Sequence, residues 1–173
     1  MAIGAMPSTT DTFLERVGNF VMGGSHIGTG SDRYLLANRA SEGSRATRRA
    51  LDDPSLENIR RYLSVHIEDE RLVTDELVDY IHRAHNWSPE FTEARRQSVS
   101  LPHDYTPDLP QIEAPVLLIH GRYDRMVPFE VSIAILNHIA DSRLVLLNNC
   151  GHWPPFEKPA EWTAQVLAFL RGY

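Results

Sequence analysis

A chain of 173 residues, 42% hydrophobic and 23% charged, is long enough to bury one sizeable core and too short for several domains. Its formal net charge of −6 argues against nucleic acid as a partner: the densest basic clusters, RATRRA (Arg45 to Ala50) and ARRQ (Ala94 to Gln97), are short and fall in helix-like segments as solvated faces. No apolar run reaches the ~18 residues of a membrane helix, so no membrane partner is expected. The N-terminus MAIGAMPSTTDTF lacks the positive flank and long apolar stretch of a signal peptide. A single cysteine, Cys150, excludes an intramolecular disulfide and fits a reducing compartment, which makes the cytoplasm the expected address.

Three apolar runs read as buried strands: FVMGG (Phe20 to Gly24), PVLLIHG (Pro115 to Gly121) and RLVLLN (Arg143 to Asn148). None alternates apolar with polar, as expected of parallel strands covered on both faces. Residues 33–100, between the first and second runs, are polar, rich in Arg and Glu, and periodic at helical spacing. Leu56, Ile59, Leu63 and Ile67 mark one helix after Asp53-Pro54. Leu77, Tyr80, Ile81 and Ala84 mark another, opened by Thr74-Asp75 and interrupted at Trp87-Ser88-Pro89, with a further helix from Pro89 to about Ser98. The proline-rich Leu101 to Pro115 predicts a linker back to the sheet. Val127 to Asp141, with Val131, Ile135, Leu136 and Ile139 at helical spacing, predicts a crossover helix that makes the second and third strands parallel. The tail AEWTAQVLAFLRGY predicts a closing amphipathic helix with Trp162, Val166, Leu167 and Leu170 on its apolar face.

Two residues stand where open α/β sheets place their chemistry, in loops at the carboxyl ends of strands. Asp124 follows the second strand in HGRYDRMVP, and His152 follows the third in NNCGHWPPFEKP. Alone, the aspartate reads as a turn cap and the histidine as a satisfied loop residue. At two neighbouring strand ends, they read as orienter and base: a carboxylate that holds one ring nitrogen leaves the other to take a proton. Cys150 has two readings, a reactive thiol beside His152 or a small buried residue before a turn, and the second is expected. His66, His82, His85 and His103 lack a third partner at metal-ligand spacing, so no metal site is expected. HIGTGS (His26 to Ser31) does not complete a phosphate-binding fingerprint and reads as a loop entering the helical segment.

HGRYDRMVP, then a helix, a strand and CGHWPPFEKP, resembles the C-terminal part of the α/β-hydrolase fold, in which nucleophile, acid and histidine follow in that chain order. The set RVGNFVMGG, DERLVTDELV, LLIHGRYDRMVP and CGHW is similar to the meta-cleavage product hydrolases, which cleave a carbon–carbon bond in dienoate diketones from aromatic ring cleavage. The resemblance covers the chain from about Arg16. It implies an α/β fold of about three parallel strands with flanking helices, divided into a partial core (1–32), an inserted helical lid (33–100) and a C-terminal core (101–173). It implies Asp124 as acid, His152 as base, Trp153 as a substrate-lining residue, a small-molecule substrate and no cofactor. Epoxide hydrolases, dehalogenases and esterases use closely related C-terminal loops, so an esterase-like or epoxide-type hydrolase on the same fold remains the alternative. In the meta-cleavage group, a lid arginine after T-x-E-L holds the substrate's anionic end. Along TDELVDYIHRAH that place falls near Ile81, and Arg83, two residues on and about 200° round the helix, is expected to be an exposed surface residue.

The family's nucleophile sits in G-x-S-x-G, and none is identified here. Ser8 is flanked at −2 and +2 by Met6 and Thr10, Ser25 by Gly23 and Ile27, Ser44 by Glu42 and Ala46, and Ser31 by neither glycine. Counting back from ERV projects the elbow to Met1 or just before it. The chain is therefore expected to be the latter part of a hydrolase, inactive alone, with an apolar strand edge at Phe20 to Gly24. Such an edge would be covered in a homo-oligomer or by a complementary N-terminal chain. Survival as a non-catalytic binding or assembly module is the alternative from another class.

Overall fold

The computed structural model describes residues 20–23, 41–97 and 105–172, with backbone alone for 20–23 and 95–97. Three strands, β1 (Phe20–Gly23), β2 (Val116–Gly121) and β3 (Ser142–Leu147), form a parallel sheet in that order. Phe20 registers with Val116, and Val116 with Ser142. All six residues of β2 are buried. Val116 and Leu118 join Val127, Val131, Ile135 and Ile139 on one face, where the crossover helix α5 (Glu130–Leu136) lies. Leu117 and Ile119 join Leu147, Cys150, Val166 and Phe169 on the other, against the closing helix α7 (Pro159–Leu170). A strand clad in this way has no polar side, and each Leu or Ile so buried contributes about 1.5–3 kcal/mol.

Between β1 and β2 in the chain run α1 (Glu42–Asp52), α2 (Leu56–His66), a 3₁₀ turn (Glu70–Leu72), α3 (Asp75–His85) and α4 (Pro89–Gln97). Side-chain oxygens open three of these helices: Ser41 accepts from the Ser44 amide, Ser55 from that of Asn58 and Thr74 from that of Leu77. The block has its own core of Ala50, Ile59, Leu63, Ile67 and Val78, with Tyr62, Leu77, Ile81 and Trp153 against it. Arg45, Arg48 and Arg49 lie exposed on α1, as a solvated face should.

Several expectations shift by part of a helical turn. In α3 the buried stripe runs through Leu77, Val78 and Ile81. Tyr80, two residues and about 200° from Val78, is 63% exposed, and Ala84 is exposed with it. Leu56, at the very start of α2, is exposed rather than buried. In α7 the buried face is Trp162, Val166 and Phe169, whereas Leu167 and Leu170 are exposed. The crossover helix is shorter than Val127 to Asp141, because Pro128 and Phe129 precede its first turn and Asn137 ends it. The proline-rich return is not a bare linker: a 3₁₀ turn (Leu109–Gln111) inserts Leu109 into the sheet core. A further short helix, α6 (Pro154–Glu157), follows the histidine loop.

The strand ends are crowded by backbone. A Cβ on Gly121 would lie 1.9 Å from the Gly151 carbonyl oxygen and 2.5 Å from that of Cys150. Neither oxygen can yield without moving the histidine loop. Gly121→Ala is therefore expected to destabilise the protein by about 3 kcal/mol or more, read as a lowered urea midpoint; a midpoint near that of the parent would mean the two loops do not meet this closely.

Candidate active site

The turn leaving β2 is built around the Asp124 carboxylate. Its Oδ1 accepts from the amides of Met126 (2.8 Å) and Val127 (2.9 Å), which folds the chain back toward α5. Its Oδ2 accepts from His152 Nδ1 at 2.8 Å and stands 3.0 Å from His120 Nε2. The carboxylate side chain is 1% exposed and that of His152 9%. Burial pushes the Asp124 carboxyl up, but hydrogen bonds from His120 and His152, and their charge when protonated, outweigh it and hold it well below the ordinary carboxylate range. An ionised acceptor of this kind holds the His152 proton on Nδ1, the tautomer in which Nε2 is the ring's acceptor.

His152 is held from behind. β3 ends at Leu147, and Asn149, at a φ of 48°, turns the chain into the loop, a left-handed conformation that asparagine tolerates. The His152 amide donates to the His66 carbonyl at the end of α2 (2.7 Å). The two imidazoles meet edge to face at 5.3 Å. His66 itself is buried, with Nδ1 2.7 Å from the Tyr62 carbonyl and Nε2 3.2 Å from Thr47 Oγ1. Glu157, buried on α6, accepts from the Gly151 amide (2.9 Å) and the Trp153 amide (3.4 Å) with one oxygen. With the other it accepts from the amides of Glu68 (2.7 Å) and Asp69 (3.4 Å). One carboxylate thus joins the histidine loop to the segment after α2. Arg125 makes a second tie, donating to the Ser64 carbonyl at 3.2 Å and pairing with Glu68.

The structure brings Asp124 and His152 together as the strand order predicts. Trp153 lies half-buried at the seam with the helical block, its ring 6.0 Å from Tyr62, 6.4 Å from His66 and 6.1 Å from Phe156. Ile81 packs into the block's core, and Arg83 is exposed and paired with Asp79 one turn away. Ser44 lies in the first turn of α1, where its hydroxyl donates to Met126 Sδ at 3.6 Å and accepts from that of Ser41 at 2.9 Å. Ser8, Ser25, Ser31, the HIGTGS loop and His103 lie outside the described residues. Among the described residues, no group of three or more His, Cys, Asp or Glu is placed to hold a metal. His120, His66, Glu157 and Arg125 were not identified from sequence as parts of the site. The one available signal was His120, an imidazole in an otherwise apolar strand run.

Cys150 is fully buried, and desolvation first, then the Glu157 carboxylate, push its thiol up to about 12. It is the small buried residue expected, and a thiol reagent should modify it only after denaturation; rapid alkylation of the native protein would contradict this. Asp124 gives a second prediction. A depressed folded value adds stability that is complete well above the ordinary 3.8 and is lost progressively as pH falls from there toward the lower folded value. The urea midpoints of the parent and Asp124→Asn should therefore stay a fixed distance apart above that pH and converge below it. Midpoints that keep their separation down through acid pH would show that the carboxyl is not held down.

Residues 3–166 match the model of the alpha/beta hydrolase family. The 2-hydroxy-6-oxononadienedioate/2-hydroxy-6-oxononatrienedioate hydrolase of Burkholderia vietnamiensis is 30% identical over 164 residues, 92% of this chain and 56% of that enzyme. The 2-hydroxy-6-oxo-6-phenylhexa-2,4-dienoate hydrolase of Comamonas testosteroni is 31% identical, over the same shares. Among solved structures, the meta-cleavage product hydrolase CumD superposes with a TM-score of 0.78 at 28% identity, covering 93% of this chain and 58% of CumD. The chain thus spans a little over half the length of the curated relatives it matches. With an acid after one parallel strand, a histidine after the next and a family match across nearly the whole sequence, the chain belongs to the alpha/beta hydrolase family.

Proposed function

We propose that His152 and Asp124 are the base and its orienter in a carbon–carbon bond hydrolase acting on 2-hydroxy-6-oxo-dienoates of aromatic catabolism. The observation that carries this is the 2.8 Å bond between two nearly buried side chains at adjacent strand ends. The dienoate hydrolases among the relatives support the substrate class. In this reading His152 Nε2 takes the proton of an attacking hydroxyl and returns it to the leaving group, and Asp124 stabilises the imidazolium between those steps. The serine that completes the set is assigned outside the described residues. Helices α1 to α4 act as the lid, and Trp153 and Tyr62 form the wall between lid and base.

A second reading, ester hydrolysis on the same dyad, is favoured by the lid. The position near Ile81 is filled by a core residue, and Arg83 is already engaged by Asp79 on its own helix. No lid arginine is thereby assigned to hold a carboxylate tail.

Turnover of a 2-hydroxy-6-oxo-dienoate, set beside that of an aryl ester, decides between the two. In a form of the protein that carries the nucleophile, His152→Ala is expected to lower kcat/KM by about 10³-fold or more, and a fluorophosphonate to leave one adduct on a serine. Turnover that survives His152→Ala would remove the dyad from the mechanism. A protein with neither turnover nor adduct would be a binding module on a hydrolase scaffold.

A further inference from the structure

His120 is buried at the penultimate position of β2, whose other residues are all apolar or glycine. An imidazole in such a place costs several kcal/mol unless its nitrogens are bonded. Strand alternation aims it at the α5 face, together with Val116 and Leu118. There Nδ1 lies 2.7 Å from Ser132 Oγ, and Nε2 lies 3.1 Å from the Val127 carbonyl and 3.0 Å from Asp124 Oδ2. The tautomer follows by elimination. A peptide carbonyl and an ionised carboxylate accept and cannot donate, so the nitrogen between them carries a proton. Ser132 can donate, and its hydroxyl supplies Nδ1.

We infer that His120 is a positioning residue for the acid: its Nε2–H donates to the same Asp124 oxygen that receives His152 Nδ1–H, so that one oxygen is shared by two imidazoles. This rests on the reading of His152 as the base. Sharing has two consequences. With two backbone amides on Oδ1 and two ring donors at Oδ2, the carboxylate cannot rotate, and it presents one fixed direction to His152. An oxygen already accepting one proton also accepts a second more weakly, so His120 tempers the Asp124–His152 bond. Ser132, by donating to Nδ1, polarises the ring and strengthens its Nε2–H as a donor.

The test is nuclear magnetic resonance of the isotopically labelled full chain. Ring ¹⁵N spectra should show His120 protonated at Nε2; a bare Nε2 overturns the inference. In His120→Phe, which keeps a buried ring and removes the donor, the carboxylate-bonded His152 Nδ1 proton should move downfield. His120→Gln, whose amide can donate again, should return it toward the parent position. A residue that only fills space would leave that proton unmoved in His120→Phe, and this result would also overturn the inference. Should the phenylalanine variant fail to fold, Ser132→Ala reads the same network from its far side and should move the proton downfield by less; no movement counts against the inference. If the parent shows no carboxylate-bonded His152 proton, it is the base reading that falls, and the His120 tautomer still decides this proposal separately.

Discussion

Everything at the candidate site depends on keeping a carboxylate ionised where water does not reach. The Asp124 charge is met by two backbone amides and two imidazoles, while the guanidinium of the adjacent Arg125 pairs with Glu68. A buried carboxylate lacking such donors would take up a proton instead. It would then present a hydroxyl to His152 and spoil the orientation of the ring. The turn that supplies the two amides is thus part of the electrostatics as well as of the fold. The same turn carries the chain from the end of β2 into α5, so a single carboxylate both closes the loop and defines the direction of the base.

The second buried carboxylate extends the argument to the helical block. Glu157 accepts amides from residues 151 and 153 on one side and from residues 68 and 69 on the other. The His66 carbonyl bonds the His152 amide directly. Close approach is possible because Gly151 has no side chain: a Cβ there would lie 2.5 Å from the His66 carbonyl oxygen. The histidine loop is therefore fixed as much by the end of α2 as by β3. A displacement of the helical block would be felt at His152 through backbone bonds rather than through soft side-chain contacts.

β2 was legible in the sequence because it is clad on both sides and is written as an uninterrupted apolar run; β3, expected to be covered in the same way, leaves Arg143 and Leu146 exposed. Asp124 and His152 were legible for a related reason: strand ends in a parallel sheet collect chemistry, and one crossover unit makes two ends neighbours. What was not legible depends on distances between segments far apart in the chain. Glu157 reads as an ordinary acidic residue in FEKP, and only the fold brings Glu68 and Asp69 to it, 88 and 89 positions away. The helical faces were misjudged by about 60° in α7, and Tyr80 of α3 was placed on the wrong face. Hydrophobic spacing alone does not say which edge of a broad apolar face meets the core, as the exposure of Leu167 and Leu170 shows.

The division of labour between the two histidine-bearing faces follows from this geometry. On the α5 side of β2, His120 and Ser132 act on the acid from within the sheet layer, where nothing a substrate does can reach them. On the block side, His66 meets the His152 ring edge to face, and the rings of Tyr62 and Trp153 in turn lie against His66. The Asp124 side chain, with two amides on one oxygen and two imidazoles at the other, is thus set from the α5 side, whereas the backbone of the His152 loop is set from the block side through the His66 carbonyl and Glu157.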